Sequence, residues 1–317
     1  MSKIRALRLI SVLGLCGLAA TSAQAQSPES FYRGRTVSIY IGFDCVAPAS
    51  PQDFAALQQA FRDYPILCIR DQHLTPKAQA DFARQWGSLE SQDRSAYCHP
   101  DDNDVLILSN ERRPDGSQVG IVDAGDFWHS DSSHMTDPCR ITMLYSVKNP
   151  LQGGDTEFIN TNQVYAALPE SLKRQIEGRN AVHHVSKTLN PRVTVSAERE
   201  AAVEYYKRRE KETKPVVQPM VRTHPETGVP TLYISPRFTI AIEDMDDAQA
   251  QPLLDELFRF MFSNPAWRYT HKWKDGDFVF WDNACLNHMA GGGYQYPDTR
   301  RMHRTTVAGH RPFYRAA

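Results

Sequence analysis

The chain has 317 residues, of which 41% are hydrophobic and 10% aromatic, enough for a substantial core in one large domain or two small ones. Its 36 basic and 37 acidic residues give a formal charge of −1, which provides no basic field, so we expect no nucleic-acid partner. The six cysteines are scattered without a Cys-x-x-Cys pair, which fits neither a disulfide framework nor a zinc knuckle and favours a reducing compartment.

The first residues have the pattern of a secretory signal peptide. Basic residues precede an apolar run over residues 9–20, and Ala23-Gln24-Ala25 supplies a small-x-small cleavage site. We therefore interpret residues 1–25 as a signal-peptide-like leader. The apolar run is short for a membrane span, so we expect no span in the mature chain.

The segment Gln26–Phe43, which contains Arg33-Gly34-Arg35, resembles the start of the mature periplasmic receptors of tripartite tricarboxylate transporters. Because the resemblance ends there, we interpret residues 26–43 as a receptor-like linker and residues 44–317 as a separate domain. The sequence leaves open whether the leader and linker are a genuine export segment or the result of a fusion or an upstream start.

Two amphipathic helices are predicted at the start of the domain, over residues 51–64 and 77–86. A short buried strand over residues 65–69 separates them. Thr75 is placed to cap the second helix, with Pro76 at its first position.

Strands dominate the rest of the chain. Lys274-Asp275-Gly276-Asp277 predicts a hairpin between strands at 269–273 and 278–282. We interpret the charge-dense run at 197–214 as a solvated helix face or mobile insertion.

Many short strands with flanking helices indicate a mainly β fold with an antiparallel jelly-roll core, the double-stranded β-helix of cupin-like proteins. The other predicted strands cover residues 105–110, 141–147, 156–160, 231–235 and 303–308.

The segment around Trp128-His129-Ser130-Asp131 is the candidate metal site. Side chains two residues apart in an extended segment point the same way, so His129 and Asp131 can bind one ion from one side. With His288 as a third ligand, they would form the two-histidine, one-carboxylate triad of non-haem Fe(II) oxygenases. The same donors could hold zinc, so a zinc hydrolase is an alternative.

Several blocks occur in a family-like order from about residue 65 to the C terminus, and the chain is similar to the taurine/2,4-dichlorophenoxyacetate dioxygenase family of Fe(II)- and 2-oxoglutarate-dependent oxygenases. This resemblance implies a jelly-roll enzyme that uses Fe(II), 2-oxoglutarate and O2, releases succinate and CO2 and hydroxylates a substrate C–H bond. The matching blocks are Ile69-Arg70-Asp71-Gln72, Trp128 to Ser133, Gly153 to Phe158, Trp281-Asp282-Asn283 with His288, and Arg300 to Thr306.

The resemblance also implies roles for residues beyond the metal ligands. Arg300, twelve residues past His288, would bind the distal carboxylate of 2-oxoglutarate together with the Thr156 hydroxyl. Arg301 would face the opposite side of the strand. Arg304, four residues past Arg300, would hold the acidic group of the substrate.

The predicted substrate is a small organic anion, a carboxylate or sulfonate such as an aryloxyalkanoate, with taurine or another alkylsulfonate as the alternative. Asn110 and Ser132 are candidate pocket residues. His99 is a candidate for a further cation beside the substrate, with Arg94, Arg112 and Arg113 as alternatives, because no lysine occurs between Lys77 and Lys148.

The leader suggests a rival class, a periplasmic solute-binding protein, although alternating strand-helix units do not follow residue 44. Localisation is therefore an open expectation: the leader indicates the periplasm, whereas the supply of Fe(II) and 2-oxoglutarate favours the cytoplasm. The sequence leaves the oligomeric state open, including a homo-oligomer.

Overall fold

The structure is a computed structural model that describes residues 51–90, 95–122, 125–185, 207–208 and 210–316. The predicted leader, the receptor-like linker, Arg94 and most of the charge-dense run lie outside the described residues. None of the described helices is both long enough and apolar enough to cross a membrane.

Short strands and helices alternate along the described chain. The helices are α1 (Pro51–Asp63), α2 (Pro76–Arg84), α3 (Thr161–Ala167), α4 (Glu170–Ile176) and α5 (Asp247–Met261). The strands are β1 (Ile66–Ile69), β2 (Cys98–His99), β3 (Asp102–Ser109), β4 (Ile141–Lys148), β5 (Thr156–Asn160), β6 (Asn180–His183), β7 (Val216–Pro219), β8 (Val221–Thr223), β9 (Pro230–Leu232), β10 (Thr239–Ile242), β11 (Arg268–His271), β12 (Phe278–Asp282), β13 (Leu286–Ala290) and β14 (Arg301–Val307).

Two antiparallel sheets form the centre of the fold. The larger has the order β1-β12-β4-β14-β3-β2, and the smaller has the order β11-β5-β13. Their inner faces share one buried cluster, in which Trp281 and Met302 of the large sheet pack with Phe158 and Leu286 of the small one. The predicted mainly β, jelly-roll architecture is confirmed.

The opposite face of the large sheet is covered by the first two helices. Strand β12 shows why: Val279 and Trp281 point into the inter-sheet core, whereas Phe278 and Phe280 point to the helices. Phe280 lies 5.5 Å from the Trp86 ring, between ring centroids. A strand with both faces covered has no polar side, so its apolar residues form a continuous run.

The predicted first helices and the strand between them are confirmed within one or two residues. Thr75 caps α2, since its side chain accepts a hydrogen bond from the Ala78 backbone N–H at 3.1 Å. Pro76 occupies the first helical position, where its missing N–H leaves no intrahelical bond unmade.

The predicted hairpin around Lys274–Asp277 is wrong. Strand β11 pairs with β5 in the small sheet, whereas β12 pairs with β1 and β4 in the large one. The turn itself exists, with Gly276 at φ +81° and the Lys274 backbone N–H donating to the Asp277 carboxylate at 2.8 Å. At this turn the chain passes from the small sheet to the large one, and Gly276 makes backbone hydrogen bonds to Ser146 and Gln72.

Buried histidines make the fold sensitive to acid. Burial, reinforced by the charges of Arg301 and His99, lowers the pKa of His303 to about 3, and burial lowers the pKa of His183 to about 3. An unfolded histidine has a pKa of about 6.5, so below that pH the unfolded chain binds more protons than the folded one. Acid therefore stabilises the unfolded state.

We expect the free energy of unfolding to fall by about 1.4 kcal/mol per pH unit for each such imidazole as the pH drops from about 6.5 to 4.5. His303→Gln cannot take up this proton, so urea unfolding at a series of pH values should give a shallower slope. His310→Gln, at an exposed histidine, is the matched control and should keep the wild-type slope. Equal slopes for all three proteins would contradict this account.

Candidate metal centre and binding cavity

The candidate metal ligands lie on two segments joined by reciprocal backbone hydrogen bonds. The His129 N–H donates to the His288 carbonyl at 3.0 Å, and the His288 N–H donates to the His129 carbonyl at 2.8 Å. Further along, the Ala290 N–H donates to the Gly125 carbonyl at 2.6 Å. The segment at 125–131 is therefore aligned beside β13, which brings distant parts of the sequence together.

The three candidate ligands have the separations that one metal ion requires. His129 Nε2 lies 3.3 Å from Asp131 Oδ1, and His288 Nε2 lies 3.6 Å from Asp131 Oδ2. One ligand atom from each residue lies within 4.8 Å of the other two. Bonds of about 2.0–2.2 Å at right angles place neighbouring ligand atoms about 3 Å apart. Two imidazoles and a carboxylate, all buried, therefore fit a divalent ion such as Fe(II).

The local contacts orient both imidazoles. His129 Nδ1 lies 2.6 Å from the Phe127 carbonyl oxygen, which can only accept, so Nδ1 carries the proton and Nε2 keeps its lone pair for a metal. The His288 ring packs against Trp281 in a T-shaped arrangement, with 4.8 Å between ring centroids.

The charge states also suit metal binding. Burial would raise the pKa of Asp131, but the charge of Arg304, together with the neighbouring His288 and His129, outweighs it and holds this pKa well below its usual value. Burial, with the nearby His129, lowers the pKa of His288 to about 3. An ionised carboxylate and a neutral imidazole are the forms that coordinate metals.

A small cavity opens beside these residues, with about 400 Å³ of empty space that includes open solvent at its mouth. Both sheets contribute to it: β3, β4, β12 and β14 from the large one, β5 and β13 from the small one. Its lining combines charged residues with an apolar wall. The lining residues are Leu108, Gly125, His129, Asp131, Thr142, Leu144, Thr156, Trp281, His288, Ala290, Arg300 and Arg304.

Arg300 is buried in this cavity, with 7% of its surface exposed. Its Nε has no hydrogen-bond partner among the described residues, and burial lowers its pKa. Gly154 approaches this arginine closely, since an added Cβ would lie 3.2 Å from Arg300 Cδ and Nε and would require the arginine to shift. Thr156, which also lines the cavity, accepts a hydrogen bond from Trp273 Nε1 at 3.0 Å.

Arg304 reaches one of the candidate metal ligands directly. Its Nη2 lies 3.2 Å from Asp131 Oδ2, and its Nε donates to Thr306 Oγ1 at 3.2 Å. Arg301 does not line the cavity and instead pairs with Glu111 at 3.3 Å, as the predicted alternation of the strand requires.

The three remaining predicted pocket residues do not line the cavity. The side chain of Asn110 binds the backbone just before β14. Its amide oxygen accepts from the Arg300 N–H at 2.8 Å, and its nitrogen donates to the Asp298 carbonyl at 2.9 Å. Ser132 follows Asp131 in a left-handed conformation, with φ +54°. His99 packs against His303 with 5.0 Å between ring centroids.

Sequence reasoning missed Thr142, which lies on β4 and donates its hydroxyl proton to Asp131 Oδ2 at 2.7 Å. It is fully buried between Ile141 and Met143. A polar residue inside a run of apolar strand residues was the available signal, because a buried hydroxyl needs a partner.

Two other groups of potential ligands among the described residues are occupied by hydrogen bonds within the protein. The carboxylate of Asp277 pairs with Arg70 and lies 3.2 Å from His271 Nε2. His224 Nε2 lies 3.0 Å from Asp282 Oδ2, while its Nδ1 accepts from two backbone N–H groups. These hydrogen bonds within the protein give both groups a role in stabilising the fold.

Two known proteins with similar sequences are named as dioxygenases. The chain is 31% identical over 271 residues to the alpha-ketoglutarate-dependent 2,4-dichlorophenoxyacetate dioxygenase of Burkholderia sp. strain RASC, covering 83% of this chain and 88% of that protein. It is 33% identical over 265 residues to the (S)-phenoxypropionate/alpha-ketoglutarate-dioxygenase of Sphingobium herbicidovorans, covering 80% of this chain and 85% of that protein.

A solved structure agrees in fold. The crystal structure of AAD-2 in complex with Mn(II) and N-oxalylglycine matches 88% of this chain and 98% of its own, with a TM-score of 0.69 and 26% identity.

The family model described as taurine catabolism dioxygenase TauD, TfdA family matches residues 28–306, most of the chain. This match confirms the predicted enzyme class, a 2-oxoglutarate-dependent dioxygenase that uses iron and O2, and leaves the solute-binding and zinc-hydrolase alternatives without support. With a jelly-roll core, a two-histidine, one-carboxylate centre and a match over this length, the chain belongs to the TauD/TfdA family of dioxygenases.

Proposed function

We propose that this dioxygenase hydroxylates a small carboxylate-bearing substrate of the aryloxyalkanoate type, with His129, Asp131 and His288 as the Fe(II) ligands. The observation that carries the proposal is that this triad shares one buried cavity with two guanidinium groups, those of Arg300 and Arg304. Two fixed cations beside one metal site suit two separate anionic ligands.

The charges in the cavity support this pairing of ligands. A divalent metal and two guanidinium groups carry four positive charges, against one negative charge on Asp131. 2-Oxoglutarate brings two negative charges and a substrate carboxylate brings one, so the filled cavity is neutral. Buried charge is costly unless it is compensated, which favours a monoanionic substrate over a neutral one.

Arg300 and Thr156 are placed to bind the distal carboxylate of 2-oxoglutarate. A planar guanidinium meets a carboxylate with two parallel hydrogen bonds, and a buried arginine with an unpartnered Nε has the capacity for such a contact. A solved relative contains N-oxalylglycine, in which an NH group replaces a methylene of 2-oxoglutarate. Gly154 packs closely against the Cδ and Nε end of this arginine side chain.

Arg304 is placed to bind the substrate carboxylate. A guanidinium has five N–H donors, so Arg304 can contact Asp131 and a substrate together. The cavity is also lined by Leu108, Leu144 and Ala290, apolar residues that suit an aromatic ring. Two relatives act, by their names, on aryloxyalkanoates. An alkylsulfonate has the same charge but would leave these cavity residues without an apolar partner.

Bound Fe(II) supplies the site at which O2 reacts with 2-oxoglutarate, giving succinate and CO2 and an oxidant for the substrate C–H bond. The protein's part is positioning. Arg300 and Arg304 set where each anion lies, and the inter-sheet core around Trp281 keeps bulk water out. An aryloxyacetate hydroxylated at the carbon next to its ether oxygen would break down to a phenol and glyoxylate.

The first prediction concerns the assembled centre. Under anaerobic conditions, Fe(II) and 2-oxoglutarate together should give a weak charge-transfer absorption in the visible region. His288→Ala should abolish it because only two ligands remain, while His310→Ala, at an exposed histidine, should keep it. An undiminished band in the His288→Ala protein would rule out this residue as a ligand.

The second prediction concerns 2-oxoglutarate. Arg300→Gln should weaken its binding by about 30-fold or more, since removing one partner of a buried ion pair costs at least about 2 kcal/mol. Arg301→Gln is the matched control and should leave binding unchanged. The measurement is the KM for 2-oxoglutarate at saturating Fe(II); equal values for the two variants would remove Arg300 from this role.

The third prediction concerns the substrate. Arg304→Gln should lower kcat/KM for an aryloxyacetate by about 30-fold or more, while the rate with the neutral amide of the same compound changes little. The ratio of the two rates isolates recognition of the carboxylate from any change in metal binding, because both substrates need the same metal. A ratio equal to that of the wild type would contradict the assignment.

A further inference from the structure

A directional chain of hydrogen bonds leads from Trp281 to the carboxylate of Asp131. Trp281 Nε1 lies 3.2 Å from Asn283 Oδ1, Asn283 Nδ2 lies 2.9 Å from Thr142 Oγ1, and Thr142 Oγ1 lies 2.7 Å from Asp131 Oδ2. All four side chains are buried, none with more than 4% of its surface exposed.

The direction of every bond in this chain is fixed by elementary chemistry. An indole N–H can only donate, so the Asn283 atom facing Trp281 is the amide oxygen. The Asp131 backbone N–H faces the same oxygen at 3.4 Å, which agrees with that orientation. The Asn283 NH2 group therefore points at Thr142.

Because the NH2 group can only donate, Thr142 Oγ1 must accept from it. The single hydroxyl proton of Thr142 is then left to donate to the ionised Asp131, and a hydroxyl bonded to a carboxylate is among the stronger hydrogen bonds in proteins. The indole of Trp281 thus determines where the Thr142 proton points.

We infer that Thr142 is a positioning residue for the metal centre, oriented by Asn283 and Trp281, and that it sets the carboxylate of Asp131 for metal binding. The inference rests on the proposed role of Asp131 as a ligand. A carboxylate has about four lone-pair positions, so one bond from Thr142 leaves others for a metal. Holding the carboxylate rotation in advance removes an ordering cost from metal binding.

The chain also links two ligands. Trp281 packs against His288, with 4.8 Å between ring centroids, while its N–H begins the path to Asp131. Thr142 lies opposite Trp281 in the register of β4 and β12. One pair of neighbouring strands therefore holds the orienting groups for both a histidine and the carboxylate.

The test measures metal affinity without turnover, by anaerobic titration with Mn(II) or Co(II) in the absence of 2-oxoglutarate. Thr142→Val keeps the side-chain shape but loses the hydroxyl, and we expect it to weaken binding by about 10–100-fold, the range for loss of a group that orients a ligand. Thr142→Ser restores a hydroxyl and should recover most of the affinity.

Thr305→Val is the matched control. Thr305 is equally buried on β14, but its hydroxyl faces Gln79 rather than the metal ligands, at 3.4 Å. It should lose thermal stability to a similar extent and keep wild-type metal affinity. Thr142→Val with unchanged affinity, or with a loss that Thr305→Val shares, would overturn the inference.

A double-mutant cycle tests the role of Asn283. Asn283→Ala should weaken binding more in the wild type than in the Thr142→Val protein, because part of its effect acts through Thr142. Fully additive effects would remove Asn283 from the chain. If the wild type itself bound neither ion, the proposed metal site would fail, which is distinguishable from a failure of the positioning role.

Discussion

The reciprocal backbone hydrogen bonds between His129 and His288 are the contact on which the site depends. They join a segment between β3 and β4 to the strand β13, and they do so at the two residues whose side chains must meet. Backbone pairing fixes side-chain direction, so both imidazoles project from one face. The buried inter-sheet core behind them, centred on Trp281 and Phe158, keeps this pairing rigid.

Burial imposes the second constraint, since it makes each charge in the cavity depend on another. Asp131 stays ionised inside the protein because Arg304 lies 3.2 Å away and Thr142 donates to the same oxygen. The arginine that we assign to the substrate therefore also stabilises the carboxylate that we assign to the metal. An anion bound at Arg304 would partly neutralise its positive charge and so weaken its stabilisation of the Asp131 carboxylate. Substrate binding and metal binding are therefore electrostatically coupled through one carboxylate.

Local sequence signals predicted the elements and the chemistry better than the connections. The helical spacing of apolar residues, together with capping residues, predicted the positions of α1 and α2. The alternation of side chains along a strand placed Arg300 and Arg304 on one face, away from Arg301. Which strands pair is a property of the whole fold, so the turn at 274–277 predicted a hairpin where the chain passes between sheets. Asn110 shows the same limit: its amide binds the Arg300 backbone, a partner 190 residues away that no local pattern reveals.

The spacing of the two arginines constrains what the cavity can accept. Arg300 and Arg304 lie four residues apart on nearly extended backbone, and at about 3.3 Å per residue their Cα atoms are at most about 13 Å apart. This limits the distance between the two anionic groups that we assign to these arginines. On the proposed function, the choice among substrates then depends on the apolar residues that line the cavity, such as Leu108 and Leu144. Changes at Leu108 or Leu144 can alter the shape of the substrate without moving either anion site, which allows one scaffold to serve substrates of one charge and many shapes.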